Sequence, residues 1–102
     1  MEKVIRDGLV AVLFAPGYGA GWYSWNLNHP QCLYDPDVVA WVEGGKIGPC
    51  PDLEEKYNST FYSQAHTQLK IVWLKVGTVF RINEYDGAET IEVHSLDDWE
   101  VA

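Results

Sequence analysis

Positive charge is what this 102-residue chain has least of: seven Lys and Arg stand against fifteen Asp and Glu, a formal net charge of −8. Affinity for a nucleic-acid duplex rests on many phosphate contacts from Lys and Arg, so the balance argues against DNA or RNA duplexes. Anionic membrane surfaces are disfavoured for the same reason. A small anionic ligand stays open, because backbone N–H groups and one or two cations suffice to hold it. Cysteine is scarce too. Cys32 and Cys50 form no C-x-x-C pair and read as isolated buried or surface thiols. No apolar run approaches a membrane-spanning length. The opening "MEKVIRDGLVAVLF" has a short apolar run and no small-residue cleavage pattern, so it does not read as a signal peptide. The expectation is a soluble, intracellular protein.

What is abundant is apolar and aromatic. Apolar residues make up 47% of the chain and aromatics 14%, with five Trp and six Tyr, which is a globular composition and not a disordered one. A chain of this length buries roughly two-thirds of its unfolded surface around one core, so residues 1–102 form a single domain. The aromatic surplus points to a binding pocket or a subunit interface, where ring-bearing anchors gather.

Local signals give the order of elements. "GLVAVLF" (8–14) is apolar on both faces and predicts a central strand. Asp35 as N-cap, Pro36 at the first position and Asp37 at the positive dipole end predict a helix through Val42, with Gly44 as its left-handed cap. A second short helix begins at Asp52, with Glu55 three residues on. Strands follow at 69–74, 78–85 and 89–94, the last two joined by Asp86-Gly87, a strong hairpin signal. The class is α+β: a small antiparallel β-sheet core, two short helices inserted after the first strand, and a C-terminal β-hairpin.

A two-residue turn fixes the hairpin's register. Phe80 faces Val93 and Ile82 faces Ile91 on one side, which is core. On the other, Arg81 faces Glu92, Asn83 faces Thr90 and Val79 faces His94, with Tyr85 beside them. A cation, an amide, a hydroxyl and a ring in one patch suit recognition of phosphate, sugar and base. The plain alternative is a solvated face with an Arg81–Glu92 ion pair, worth about 0.2–1 kcal/mol.

The loop "FAPGYGAGWYSWN" carries Gly17, Gly19 and Gly21. It fails the dinucleotide fingerprint, because Trp22 stands where a small residue is required, and it lacks the Lys-Ser/Thr ending of a phosphate loop. Its glycines serve close backbone approach to a ligand or a neighbouring subunit, or they let Trp22 and Trp25 pack at a corner. His29 and Cys32 are spaced as metal ligands but lack a second pair. His66 and His94 belong to no triad. The carboxylates Glu84, Asp86, Glu89, Glu92, Asp97, Asp98 and Glu100 read as a solvated surface. No catalytic constellation, metal or cofactor is expected.

Three segments, "VAVLFAPGYGAGWYSWN", "LYDPDVVAWVEGGK" and "GTVFRINEYDGAETIEVHSLDDWEVA", resemble in order and spacing the small phage proteins of the Thoeris anti-defence family, the first-described, nucleotide-sponge type. The likeness spans most of the chain and leaves 48–68 as its variable part. It implies a non-enzymatic protein in the cytoplasm of an infected bacterial host. Such a protein sequesters cyclic ADP-ribose isomers, glycocyclic ADP-ribose among them, that Thoeris TIR proteins make, so that the effector is never switched on. It also implies a homo-oligomer, a dimer or a hexamer built of dimers, with pockets at the dimer interface. Some members hold cyclic oligonucleotides at a separate site. Carried onto this chain, the family's motif falls on Arg81, Asn83 and Tyr85. Tyr62 is then an adenine platform contributed across the dimer, Glu89 and Thr90 accept from ribose hydroxyls, and Gly19 and Trp22 contribute to the separate site. The rival reading is an acidic protein-binding inhibitor of a host defence complex that mimics nucleic acid by charge.

Overall fold

Alternation along one strand organises the molecule. In a computed structural model, which describes residues 3–58, 60–93 and 100–101, Ile5–Arg6 (β1) turns through Asp7 and Gly8 into Leu9–Phe14 (β2). Lys70–Lys75 (β3) pairs antiparallel on the far side of β2, with Leu9 opposite Lys75 and Phe14 opposite Lys70. β2 is therefore the central strand of a three-stranded sheet. Ala11 and Leu13 point to one side and Val10 and Val12 to the other, and all four are fully buried. Double burial is why "LVAVLF" is apolar without a break. Gly8 belongs to the turn and not to the strand, because Asp7 and Gly8 both take positive φ, 53° and 77°.

The side bearing Val10 and Val12 is covered by a second antiparallel sheet made of Val79–Tyr85 (β4), Ala88–Val93 (β5) and the two-residue Glu100–Val101 (β6), in the order β5-β4-β6. The hairpin pairs run Phe80↔Val93, Arg81↔Glu92, Ile82↔Ile91, Asn83↔Thr90 and Tyr85↔Ala88, the register counted from Asp86-Gly87. Both turn residues have positive φ, 53° and 85°, the twist that suits a two-residue hairpin. The expected Val79–His94 pair lies outside the described residues. Phe80 is fully buried against Val10, Val12, Leu33 and Tyr34, with Ile82 and Ile91 half-buried beside it. Val93, expected in the core, is 55% exposed, so burial along the ribbon stops short of that end.

The opposite side of β2 packs on helices. Pro36–Glu43 (α1) starts at Asp35, whose carboxylate accepts from the N–H groups of Asp37 and Val38. The left-handed residue at its end is Gly45 (φ 83°), not Gly44 (φ −74°). The bonds Lys46 N–H to Trp41 O and Gly45 N–H to Val42 O form a Schellman closure whose positive-φ position is one residue later than expected. Leu53–Tyr57 (α2) is capped by Asp52, which accepts from the Glu55 N–H at 3.0 Å. Val38, Val39, Leu53, Tyr57, Phe61, Ala65 and Leu69 close the core with Ala11, Leu13 and Trp22. Helices, first sheet and hairpin sheet are three layers.

Asp35 also ties α2 to α1. Fully buried, it receives Lys56 Nζ at 2.8 Å and the Tyr57 hydroxyl at 2.5 Å, and burial followed by that bond pushes the Tyr57 phenol up. Asp35→Asn keeps an acceptor for the cap but removes the charge facing Lys56. It is expected to lower stability by about 1–2 kcal/mol, read as a shift in the urea midpoint at unchanged slope. An unchanged midpoint would show that the pair contributes nothing. Cys32 is buried and its thiol is pushed up by burial and by Glu89 and Asp35 nearby, whereas Cys50 is only partly covered. A thiol reagent is therefore expected to label Cys50 alone in the folded protein and both cysteines in denaturant. Modification of Cys32 at the same rate as Cys50 would contradict this core.

Candidate functional site

The pleat of β4 separates two chemistries. Phe80 and Ile82 turn inward while Arg81, Asn83 and Tyr85 turn outward, joined from β5 by Thr90 and Glu92. On the outer face the Arg81 Nε–H donates to Asn83 Oδ1 at 3.1 Å, and Asn83 Nδ2 donates to Glu92 Oε2 at 2.5 Å. Arg81 Nε lies 3.9 Å from the same Glu92 oxygen, a long and half-exposed ion pair of the kind worth little. Thr90 is exposed and Tyr85 is 77% exposed. The structure thus brings Arg81, Asn83, Tyr85 and Thr90 onto one open surface.

Glu89 departs from the sequence expectation. It pairs with Glu84 on the inward side of the ribbon and is fully buried. Its Oε1 accepts from the Ala15 N–H at 2.8 Å. Its Oε2 accepts from the Trp22 N–H at 3.0 Å, the Ser24 N–H at 2.9 Å and the Ser24 hydroxyl at 2.7 Å. A carboxylate so enclosed and so occupied has no capacity for a ribose hydroxyl, and its role is corrected to that of an internal clamp.

Gly19 and Trp22 belong to the same clamp. The Gly19 N–H donates to Asp86 O at 3.0 Å, and the Glu89 N–H to Ala15 O at 2.7 Å. Trp22 is fully buried, its indole N–H donating to Cys32 O at 2.9 Å and its ring meeting Phe61 edge-on at 5.2 Å. Trp22 is therefore core and not ligand contact. The hairpin turn and the glycine loop touch backbone to backbone: a Cβ on Gly87 would sit 2.5 Å from Ala20 N and 2.8 Å from Gly19 C. Of the readings left open for the loop, the structure supports the packed corner, with the hairpin turn as the surface approached.

Tyr62 stands elsewhere. Its ring lies 5.0 Å from that of Trp25, whose indole N–H donates to Glu84 Oε2 at 2.9 Å. That bond, followed by one from the Gly87 N–H, holds the Glu84 carboxyl below its usual range. Because Glu84 projects from the Phe80–Ile82 side of β4, Trp25 and Tyr62 lie on the side of the ribbon away from Arg81. Asn26, almost fully buried, fixes them. Its amide nitrogen donates to Trp22 O at 2.7 Å and Tyr62 O at 2.9 Å, and its oxygen accepts from the Tyr62 N–H at 2.7 Å. Sequence reasoning missed Trp25, Asn26 and Glu84. Tyr23–Trp25 forms a single 3₁₀ turn, too short to impose a period that could flag its neighbours.

Compared with known proteins, the chain matches no family model, no curated protein and no solved structure.

Proposed function

We propose that this chain is a binding protein that captures a small nucleotide signal of the cyclic ADP-ribose class, glycocyclic ADP-ribose among them, and holds it unaltered. In this role it acts as a phage-encoded sponge against Thoeris signalling in the cytoplasm of the infected bacterial host. The observation that carries this reading is the outward ladder of Arg81, Asn83, Thr90 and Tyr85 on a ribbon whose other side is anchored in the core. Sequestration asks for tight, slow-releasing contacts and no reacting group, and a pre-set ladder on a rigid hairpin suits that. Arginine is the side chain that best engages a pyrophosphate, and an exposed tyrosine offers a stacking face for adenine. The surface is open on its outer side, so a second copy of the chain supplies the opposing wall, with Tyr62 contributed from that copy.

The test is direct. The pure protein is incubated with cyclic ADP-ribose isomers, freed of unbound ligand and heat-denatured, and the released molecules are identified by mass spectrometry. Intact nucleotide in stoichiometric yield is the expected outcome. An altered product would make the protein an enzyme, and no retention would leave the acidic protein-binding inhibitor as the better reading. Within the same assay Arg81→Ala is expected to weaken retention by about 1.5–3 kcal/mol, the usual value of a charge-assisted hydrogen bond. Unchanged affinity in a folded variant would remove Arg81 from the site.

A further inference from the structure

Away from the outer face of the hairpin, residues 24–29 and Thr60 enclose a cleft of about 230 Å³. One wall is Trp25, 40% exposed, and Leu27 stands at 65% exposure. The remaining lining is Ser24, Asn26, Asn28, His29 and Thr60, with a His29 ring nitrogen 3.1 Å from the Thr60 hydroxyl. None of the described lining residues is Lys, Arg, Asp or Glu. We infer that this cleft binds an uncharged sugar ring, carried by a nucleoside or a glycan, laid against Trp25.

The chemistry narrows the ligand. A phosphate or carboxylate needs cationic partners or a run of converging N–H groups, and the described lining brings no Lys or Arg to this cleft. A purely apolar ligand would strip water from the exposed Asn28 amide and from the His29 and Thr60 groups at the rim, at a cost for each. A sugar ring meets both demands. Its C–H face lies on the Trp25 ring, and its hydroxyls exchange hydrogen bonds with the Asn28 amide, the His29 imidazole and the Thr60 hydroxyl at the rim. Ser24 and Asn26 are spent on internal bonds.

The wall is also held still before any ligand arrives. On one side of Trp25, Ser24 is fixed through both its N–H and its hydroxyl by buried Glu89; on the other, Asn26 is locked to Trp22 and Tyr62. The indole itself is held by Glu84 and flanked by Tyr62. The carboxylate and the amide on either side of the ring are buried and fully hydrogen-bonded, so the loop that carries Trp25 is fixed from both sides. A ring so fixed loses little freedom on binding, which raises affinity without new contacts.

The experiment uses the full-length ¹⁵N-labelled protein and follows the Trp25 indole N–H and the His29 amide by NMR. Adenosine is titrated in one arm, a methyl glucoside in another, and adenosine monophosphate in a third. A saturable shift at Trp25 and His29 with at least one uncharged probe is expected, and the arm that responds identifies the source as nucleoside or glycan. Adenosine monophosphate binds no tighter than adenosine. Trp25→Ala weakens the responding probe about tenfold, or about 1.4 kcal/mol. Should Trp25→Ala fail to fold, Asn28→Ala, an exposed loop substitution, carries the comparison and is expected to weaken the same probe. No localised shift with either uncharged probe up to its solubility limit overturns the inference. So does tighter binding of the monophosphate, or a response confined to the Arg81 face.

Discussion

Glu89→Ala is expected to lower the unfolding free energy by about 3–5 kcal/mol, the range reached when a buried charged network is broken. The reason lies in the donors left behind. Ala15, Trp22 and Ser24 present three backbone N–H groups and one hydroxyl to this single carboxylate, and its removal leaves all four without their charged acceptor. Glu89→Gln separates charge from shape. Three donors converge on Oε2 and one on Oε1, so the amide keeps an acceptor for the three and turns its NH₂ against the Ala15 N–H. The expected loss is smaller, about 2–3 kcal/mol. Urea unfolding read by near-ultraviolet circular dichroism measures both, since the signal of Trp22 and Trp25 reports the clamped loop. Midpoints within experimental error of the parent would mean that the clamp is not built as described.

Gly87→Ala is the second large effect, and it acts through a different cause. A left-handed backbone costs an L-residue about 1–2 kcal/mol, and φ at Gly87 is 85°. The added Cβ would also press on the backbone of Gly19 and Ala20, at 2.5 Å from Ala20 N. Overpacking of this sort costs a further ~1–3 kcal/mol, for about 2–5 kcal/mol together. Gly77→Ala supplies the control. Its φ is 89°, yet a Cβ there meets nothing within 4 Å, so it should show the backbone cost alone. Equal losses at the two glycines would argue that loop and turn do not touch.

These two sites also mark where sequence reasoning ends. The hairpin was legible because Asp86-Gly87 sits between two clearly alternating segments, and a two-residue turn admits one register. The start of α1 was legible because cap, Pro36 and Asp37 are contiguous. Asp7-Gly8 is the same dipeptide in the same conformation, but only Ile5–Arg6 precedes it in β1, too little alternation to announce a strand. Gly44 and Gly45 are equivalent as letters, and only the carbonyls of Trp41 and Val42 decide which one turns left-handed. The candidate site divides in the same way. Arg81, Asn83, Thr90 and Tyr85 share a face through local pairing, and counting finds them. Glu89 looks like one more surface acid until a loop from the other end of the chain is laid over it, and nothing near Glu89 in sequence encodes that loop. Trp25 and Tyr62 meet through Asn26, whose bonds span 36 residues on one side and follow no period.

The reach of Glu89 has a kinetic corollary. Its bonds bridge 65 to 74 positions along the chain, so residues 15–24 gain their shape only after the carboxyl-terminal ribbon has been synthesised. At roughly 5–20 residues added per second, the nascent amino-terminal half waits on the ribosome for several seconds with its tryptophans exposed to chaperones.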